Sequence, residues 1–197
     1  METLPEEQWA RLLSALDSLA RLWIERAAPI AIGLAESREE REAVYRLRYE
    51  VVVEQGWARP EEFPDGTERD GFDDGAVHVV ARAGHELAGS SRVVFPVPGR
   101  RLPTEEAFDM LVEPMGGVVN FDRTLVMSPH RTPDHRVLAG VIARSWLEAR
   151  ARGFSMCCGI LSPEMIERYR QLGIELTILG PARPHWGEDR FPIRFGL

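Results

Sequence analysis

Lysine is absent from the sequence, and all 24 basic residues are arginine. This absence excludes a Schiff-base enzyme and a P-loop nucleotide-binding site, because both depend on a lysine ammonium group. Cysteine is scarce, since the chain has only Cys157 and Cys158. Neighbours in a strand point to opposite faces, so these thiols are predicted to be buried and unpaired, in a reducing cytoplasm. With so few thiols and no well-spaced histidines, a zinc site is excluded, and no metal or redox cofactor is expected.

Long hydrophobic runs and an excess of positive charge are also missing. The formal net charge is -7, which argues against a nucleic-acid-binding surface. No apolar run is long enough to span a bilayer, and Met1 is followed by an acidic amphipathic stretch and not by a signal peptide. We therefore expect a cytoplasmic protein without stable membrane insertion. Its 197 residues, 44% of them hydrophobic, suit one globular domain with a sizeable core.

Residues 3–28 are predicted to form one amphipathic helix, with Thr3 and Glu6 as a capping box. Its apolar residues recur at helical spacing, and its polar face mixes acids with arginines, whereas a membrane-surface helix would present a mainly basic face. The helix is therefore expected to pack on the protein's own domain or on the partner in a homodimer. This divides the chain into an N-terminal helix, residues 1–28, and a domain, residues 29–197.

The rest of the chain alternates between strand-like and helix-like segments. Ser37 and Glu40 predict the start of a helix over 38–55, which a polar loop follows over 56–75. Pro133 is predicted to begin a second long helix and Gly153 to end it. Predicted strands lie at 30–34, 76–83, 86–95, 118–127, 155–161, 174–179 and 191–195, with shorter helices at 104–111 and from Ser162 to Gly173. This order predicts an α/β protein of the α+β type, in which helices cover a mixed sheet.

A predicted buried arginine is the first sign of a functional site. On the helix over 38–55, Arg48 falls within the apolar stripe when successive residues are placed 100° apart. A buried guanidinium needs carboxylate or phosphate partners, because burying an unpaired charge is strongly unfavourable. The nearest acid-rich segment holds Glu68, Asp70 and Asp73. Two interpretations stay open: a salt bridge that ties this loop to the helix, and a polar pocket that holds an amine-bearing acceptor.

The residues around and after Arg48 form a longer pattern. An arginine on an early helix is followed by a tryptophan, by E-x-D-x-x-D with phenylalanine before its last acid, and by a strand ending in G-x-x-R. The residues concerned are Arg48, Trp57, Glu68, Asp70, Phe72, Asp73, Gly89 and Arg92. In this pattern the chain resembles the acyl-homoserine-lactone (autoinducer) synthases, which are acyltransferases of the GNAT superfamily. The segment 44–49 also looks like that of the related N-acyl amino acid synthases.

This resemblance, which extends over about 30–180, implies both a fold and an activity. The fold would be GNAT-like, a mixed and mostly antiparallel sheet flanked by helices, with the N-terminal amphipathic helix as an addition. The activity would be N-acyl transfer: a medium or long fatty-acyl group would pass from an acyl-carrier-protein or CoA thioester to the amine of a small acceptor, of the amino acid or homoserine-lactone type. The acceptor would be bound by Arg48, Glu68, Asp70, Asp73 and Arg92.

The central strand departs from the family's E-x-x-R-x-x-V pattern at one position. Arg123 and Val126 match, but Asn120 replaces the glutamate that the family favours as a general base working through water. Asparagine cannot accept a proton at neutral pH. Asp122 lies two residues further on the same strand face, and it is either a substitute base or the ion-pair partner of Arg123 or another arginine. The predicted catalytic group is therefore Asp122, Asn120, which would hold a water, and Arg123.

The acyl donor is expected in a split between the central strand and the strand over 155–161. Backbone N–H groups near Leu125, Val126 and Met127 would hold the thioester oxygen. The acyl chain would lie among apolar side chains, namely Met127, Trp146, Met156, Ile160 and Leu161. The segment 128–136 lacks a glycine-rich phosphate loop, but its Arg131 and Arg136 are candidates to bind a phosphate or an acidic carrier protein. A solvated arginine-rich helix face explains these arginines equally well.

Two other functions stay open. Asn120 is compatible with a non-catalytic protein that binds acyl thioesters or signals on a GNAT scaffold. A short-chain acetyltransferase that uses CoA is the second alternative. The identity of the acceptor amine is left open between homoserine lactone from S-adenosylmethionine, an amino acid, a peptide amine and a polyamine.

Overall fold

The computed structural model describes residues 5–196. Its α-helices are α1 (Glu6–Arg26), α2 (Arg38–Glu54), α3 (Pro103–Phe108), α4 (Arg136–Ala151) and α5 (Pro163–Gln171). Its strands are β1 (Ala31–Leu34), β2 (Val77–Ala83), β3 (Glu86–Val94), β4 (Val119–Val126), β5 (Met156–Leu161), β6 (Thr177–Ile178), β7 (Arg183–His185) and β8 (Glu188–Gly196). No helix among these is long and apolar enough to cross a membrane.

The strands form a sheet in the order β1-β2-β3-β4-β5-β8-β6, and β7 extends it as a hairpin partner of β8. β4 and β5 run parallel, whereas the other strand pairs in the described chain are antiparallel. The predicted mixed, mostly antiparallel sheet is therefore confirmed. The parallel pair in its centre is short, because it comprises only Val119 with Cys157 and Asn120 with Cys158.

Helices cover both faces of the sheet, as strand alternation requires. On one face, α1, α4 and α5 pack on the main core, which contains Val93, Phe121, Cys157 and Ile193. On the other face, α2 and α3 pack on smaller clusters, one of which contains Cys158. The two cysteines thus lie on opposite faces as free thiols, and burial raises the pKa of Cys158 to about 12.

The N-terminal helix α1 packs on α4 of its own chain. Asp17 anchors it: Trp146 donates its indole N–H to Asp17 Oδ1 over 2.8 Å, and Arg150 Nε lies 3.3 Å from the same oxygen. Of the two predicted alternatives, the protein's own domain or a homodimer partner, the helix therefore packs on the protein's own domain. Thr3, half of the predicted capping box, lies outside the described residues, and Pro5 occupies the N-cap without a side-chain hydrogen bond.

Most predicted elements are present, with differences at their ends. Ser37 and Glu40 form the predicted capping box of α2. The helix predicted to begin at Pro133 begins at Arg136, because His135 has a left-handed conformation (φ 50°) that interrupts the helix. The strand predicted over 174–179 is reduced to β6, which pairs with only two residues of β8. The β7–β8 hairpin was not predicted as such, since only its last part was expected to be a strand.

An irregularity in β4 shapes the centre of the sheet. Ser90 pairs with Leu125 and Arg92 with Asp122, so two residues of β4 lie opposite one of β3. This is a β-bulge, which bends the strand and redirects its side chains. Arg123 lies within it with a φ of 50°. Beyond the bulge β4 no longer pairs with β5, and the two strands separate.

Candidate active site

A cavity of about 730 Å³ opens where β4 and β5 separate. Part of its wall is apolar and contains Val51, Leu125, Val126, Leu138, Ile160 and Leu161. Another part is charged and contains Asp70, Arg92, Asp122, Arg123, Glu188 and Arg190. A cavity of this size, with an apolar wall and charged groups that converge on it, is typical of a small-molecule site.

Beside the cavity lies a group of paired charges that we call the acid–arginine cluster. It comprises Arg48, Glu68, Asp70, Asp73, Arg92, Asp122 and Arg123. Its three arginines face four carboxylates, so the cluster carries one negative charge in excess. The pKa values of Asp70 and Asp73 lie below the ordinary range, because the arginines outweigh the opposing effect of burial. The cluster therefore favours a cationic group, such as an ammonium, at its cavity side.

Arg48 is the innermost arginine of the cluster, and its side chain has no exposed surface. Its Nη1 donates to Asp73 Oδ1 over 2.8 Å, and its Nη2 donates to His78 Nδ1 over 3.0 Å. Arginine has only donors, so His78 Nδ1 is the unprotonated nitrogen. Burial, together with the charge of Arg48, lowers the pKa of His78 to about 4. The expected contact between Arg48 and the acidic loop is therefore present, and it is sealed from the cavity.

Arg92, on β3, links the interior of the cluster to the cavity. It donates to Asp70 Oδ1 over 2.6 Å and to both oxygens of Asp122, over 2.7 and 2.9 Å. Its Nη1 also lies 3.1 Å from Asp73 Oδ2. Burial alone would lower the pKa of Arg92, but Asp122 and Asp70 raise it well above its ordinary value. Each nitrogen of this guanidinium thus contacts a carboxylate.

Arg123 uses its position in the bulge to reach different acids. Its Nε donates to Glu68 Oε1 over 3.0 Å, and its Nη2 donates to Asp70 Oδ2 over 3.2 Å. The ring of Trp186 lies 4.7 Å from its guanidinium carbon. The sequence left the ion-pair partner of Asp122 open between Arg123 and another arginine. In the structure this partner is Arg92.

Asn120 is fully buried and does not line the cavity. Its Oδ1 accepts the backbone N–H of Thr104 over 3.0 Å and the Thr104 hydroxyl over 2.5 Å. Its Nδ2 donates to Asp122 Oδ2 over 3.1 Å. The expectation that Asn120 holds a water at the site does not agree with this position, because Thr104 and Asp122 engage its side chain away from the cavity.

Asp122 lines the cavity, with 9% of its side chain exposed. Its Oδ2 accepts from Arg92 and Asn120, whereas its Oδ1 accepts from Arg92 Nε alone. A carboxylate offers about four acceptor positions. One position on Oδ1 is therefore open to a ligand, while the other three are held by fixed donors.

The β7–β8 hairpin forms a wall of the cavity that the sequence interpretation missed. His185, Trp186, Glu188 and Arg190 line the cavity from this hairpin. Its turn needs Gly187, which has a φ of 72° and approaches Trp57 so closely that a Cβ atom would lie 3.3 Å from the Trp57 Cα. The sequence signal was weak: Gly187 suits the second position of a two-residue hairpin loop, but the first position holds Trp186, where asparagine, aspartate or glycine is usual.

The residues predicted to bind the acyl donor fall into two groups. Leu125 and Val126 line the cavity, whereas Met127 and Trp146 do not. Trp146 lies under α1 with its indole bonded to Asp17, so it is separated from the proposed acyl chain. The Met127 N–H donates to Ala88 O over 2.9 Å and is not free for a thioester. Because hydrogen bonds alternate along an antiparallel pair, the Val126 N–H points away from β3 towards the opening.

The arginines of segment 128–136 also divide. Arg131 lines the cavity, where its Nε donates to Val126 O over 2.8 Å and its Nη2 lies 3.2 Å from Glu54 Oε2. Arg136 does not line the cavity. Within residues 5–196, no three histidine, cysteine, aspartate or glutamate side chains are grouped so that they could hold a metal ion.

A known protein family matches the part of the chain that contains the site. Residues 47–140, which include the acid–arginine cluster and the start of α4, match the acetyltransferase (GNAT) domain family. This part of the chain is therefore similar to a GNAT acetyltransferase domain. A comparison with curated protein sequences gives no match.

Solved structures share the GNAT fold over most of this chain. TofI, in a ternary complex with an inhibitor and MTA, has a TM-score of 0.68 at 22% identity, covering 85% of this chain and 90% of its own. BjaI, a CoA-dependent acyl-homoserine lactone synthase with SAM and isopentyl-CoA, has a TM-score of 0.63 at 20% identity, covering 85% of this chain and 82% of its own. FeeM, an N-acyl amino acid synthase from uncultured soil microbes, has a TM-score of 0.64 at 17% identity, covering 85% of this chain and 90% of its own. These likenesses and the domain match confirm the predicted GNAT fold and support the predicted acyltransferase.

Proposed function

We propose that this GNAT domain transfers a medium or long fatty-acyl group from a CoA or acyl-carrier-protein thioester to the amine of a small acceptor. The observation that carries the proposal is the cavity at the split between β4 and β5, with its apolar wall beside an anionic cluster. A neutral acyl chain fits the apolar wall, and an ammonium group fits the cluster. Two proteins of this fold support the proposal: BjaI, a CoA-dependent acyl-homoserine lactone synthase, binds SAM and isopentyl-CoA, and FeeM is an N-acyl amino acid synthase.

The thioester is proposed to lie along the end of β4. Its carbonyl oxygen would accept a hydrogen bond from the Val126 N–H, which strand pairing directs towards the opening. A backbone donor aimed at a developing oxyanion contributes about 3 kcal/mol to lowering the barrier in other acyl-transfer enzymes. The acyl chain would then extend among Leu138, Ile160 and Leu161, which line the cavity.

The amine is proposed to attack from the side of Asp70 and Asp122. The bound ammonium first loses a proton to the open position on Asp122 Oδ1, directly or through one water, which leaves a neutral amine. The nitrogen of this amine forms a bond to the thioester carbon, the C–S bond breaks, and the sulfur leaves with the bonding electrons and takes up the second proton of the nitrogen as a thiol. Arg92 and Asn120 hold the Asp122 carboxylate in place.

Chain length of the donor provides the first test. Acetyl-, butyryl-, octanoyl- and dodecanoyl-CoA, and the same groups on acyl-carrier protein, should raise the melting temperature progressively. Each additional methylene buried against the apolar wall contributes about 0.8 kcal/mol of binding free energy. CoA without an acyl group is the control. If acetyl-CoA stabilises the protein as much as the long thioesters do, the protein is a short-chain acetyltransferase.

Turnover provides the second test, because it separates an enzyme from a binding protein. The engagement of both Asp122 oxygens by Arg92 is the observation that favours a non-catalytic protein that binds acyl thioesters. Release of free thiol from the best-binding thioester is therefore measured with a panel of amines. Release that depends on the amine supports acyl transfer, whereas tight binding without release for every amine supports the binding protein.

A further inference from the structure

We propose that two copies of this chain associate through one flank of α1, with the two helices antiparallel across a two-fold axis. We call this flank the α1 stripe, and its members, all exposed, are Gln8, Leu12, Ala15, Leu19, Leu22 and Arg26. The stripe lies on a different side of α1 from the residues that pack on α4. None of the residues Glu6–Arg26 lines the cavity, so the inference is independent of the proposed function.

The first observation is that α1 is apolar over more of its surface than its own domain covers. The side that packs on the main core includes Leu13, Leu16, Ala20, Trp23 and Ile24. With successive residues 100° apart, this side and the α1 stripe together form an apolar arc of roughly 200°. A surface helix typically presents a stripe of about 100° to its core, so part of this arc is left uncovered. Leu12, Leu19 and Leu22 accordingly keep 38%, 46% and 43% of their surface exposed.

The second observation is the spacing of the stripe. Its members follow one another by alternate steps of four and three residues, the heptad repeat that brings two helices together along one seam. Apolar residues occupy the central positions of the seam, and Gln8 and Arg26 occupy its ends. The seam is short for an isolated coiled coil. However, Asp17 already holds α1 on α4, so pairing does not bear the cost of forming the helix.

An antiparallel arrangement fits the order of residues in this seam. It places Leu12 opposite the partner's Leu22 in the outer apolar layers, and Leu19 opposite the partner's Ala15 in the inner layers. Large and small side chains then alternate across the axis, which favours close packing. At each end Arg26 meets a glutamine. A parallel pair would instead bring the two copies of Arg26 together, and like charges at close range repel each other.

The third observation concerns the charges beside the stripe. Arg11 and Glu25 flank it on the same side, and the antiparallel layers place Arg11 next to the partner's Glu25. Two-fold symmetry repeats this pair at the other end of the seam. Within its own chain Arg11 has an exposed contact with Glu7 at 3.9 Å, and Glu25 has no ion pair with any residue of 5–196. Both charges are therefore available for pairing between chains.

The same charges favour a protein partner over a membrane surface. A helix that lies on a membrane carries mainly basic residues beside its apolar face. Beside the α1 stripe the acids Glu7 and Glu25 alternate with the bases Arg11 and Arg26. The formal net charge of the chain is -7, which an anionic lipid surface repels. A second copy of the chain in the opposite direction presents the complementary order of charges.

Charge reversal tests the inference, with the mass in solution measured by sedimentation over a concentration series. The parent should pass from monomer to dimer as its concentration rises. Arg11→Glu and Glu25→Arg should each raise the dissociation constant about 10-fold or more, because each creates two like-charge contacts in the dimer. An equal mixture of the two variants should restore association, since each supplies the charge that the other lacks. Positions 11 and 25 are about 21 Å apart along one helix, so this restoration arises only between chains.

Leu19→Gln tests the apolar part of the seam. It should raise the dissociation constant about 10- to 100-fold, because it changes both inner layers, with little change in the melting temperature of the monomer. Leu111→Gln, which changes an exposed leucine between α3 and β4, is the matched control and should leave the dissociation constant unchanged.

Three results would overturn the inference. If the parent is monomeric at every concentration, the stripe does not bind a second copy. Vesicles of phosphatidylcholine and phosphatidylglycerol are then added, and binding that Leu19→Gln removes would assign the stripe to a membrane surface. A dimer that none of the α1 variants weakens is formed by another surface. Weakening by both charge variants without restoration in their mixture would rule out the antiparallel arrangement.

Discussion

The acid–arginine cluster and the β7–β8 hairpin both place arginines beside one cavity, yet they satisfy them differently. In the cluster, Arg92 is fully buried and contacts three carboxylates. On the hairpin, Arg190 stacks on Trp57 and has one partly exposed acid nearby, with two buried nitrogens left without hydrogen bonds. The difference teaches that a charged group close to a site is not automatically a ligand-binding group. Arg92 is held by several ion pairs inside the cluster, whereas Arg190 is held by one aromatic ring and one ion pair.

The largest expected effect is the loss of a partner inside the cluster. Asp73→Ala should lower the free energy of unfolding by about 3–5 kcal/mol, because Arg48 would be left in the interior with a distant Glu68 as its remaining acid. Chemical denaturation measures this change. The control is Asp109→Asn, which removes an exposed ion pair with Arg101, keeps a residue type that tolerates the left-handed backbone at this position (φ 46°), and should cost no more than about 1 kcal/mol. If the two variants are equally stable, the cluster does not hold the fold together.

The next effect concerns Asp122, which belongs to the cluster but faces the cavity. Asp122→Asn should slow the chemical step by about 10² or more while donor binding is nearly unchanged, because the open position on Oδ1 would no longer accept a proton. Single-turnover release of thiol measures the step, and the melting-temperature shift caused by octanoyl-CoA measures donor binding. A combined loss of folding and donor binding would instead assign Asp122 to the support of Arg92. Asp134→Asn, an exposed site, serves as the control.

The last effect concerns the pH dependence of folding stability, to which one histidine of each region contributes. Burial lowers the pKa of His78 and of His185 to about 4 in the folded protein. Between this value and the ordinary histidine pKa of about 6.5, the unfolded chain binds a proton that the folded chain does not. Stability therefore falls as the pH is lowered through this window, by at most about 1.4 kcal/mol per pH unit for each histidine.

Substitution separates the two contributions. His78→Gln, whose carbonyl can still accept from Arg48, and His185→Gln should each flatten the stability–pH curve by a similar amount, because the pKa values of the two histidines are lowered to about the same value. Denaturation curves recorded across pH 4.0–6.5, the window set by the folded and ordinary pKa values, give both slopes. A variant whose slope equals that of the parent protein would show that the substituted histidine does not have a lowered pKa in the folded protein.

Much of the site was predictable because it depends on neighbours along the chain. Arg48 falls on the apolar stripe of α2, which by itself required an acidic partner, and the acid segment 68–73 is the one that supplies it. The identity of partners across the sheet was not predictable. Asp122 and Arg123 are adjacent in sequence, but the bulge in β4 sends them to different partners, Arg92 and Glu68.

The same reason explains the residues that were misplaced. Trp146 has the spacing of an inward-facing residue on α4, and it does face inward, but α1 occupies that side and takes its indole as a hydrogen-bond donor. Asn120 has the correct strand position for a catalytic group, but Thr104 from α3 engages its carbonyl. In both cases the sequence pattern predicts the face on which a side chain lies, and another element decides what covers that face.

By itself, the sequence determined the helices and most strands, the opposite burial of Cys157 and Cys158, and the need of Arg48 for acids, since each follows from local periodicity or from the cost of burying a charge. Only the tertiary structure decided where the sheet opens, which carboxylate keeps a free acceptor position, and that the β7–β8 hairpin brings Arg190 to the cavity. These depend on strand order and on one bulge, which join residues far apart in the chain. Local sequence patterns carry no information about such distances.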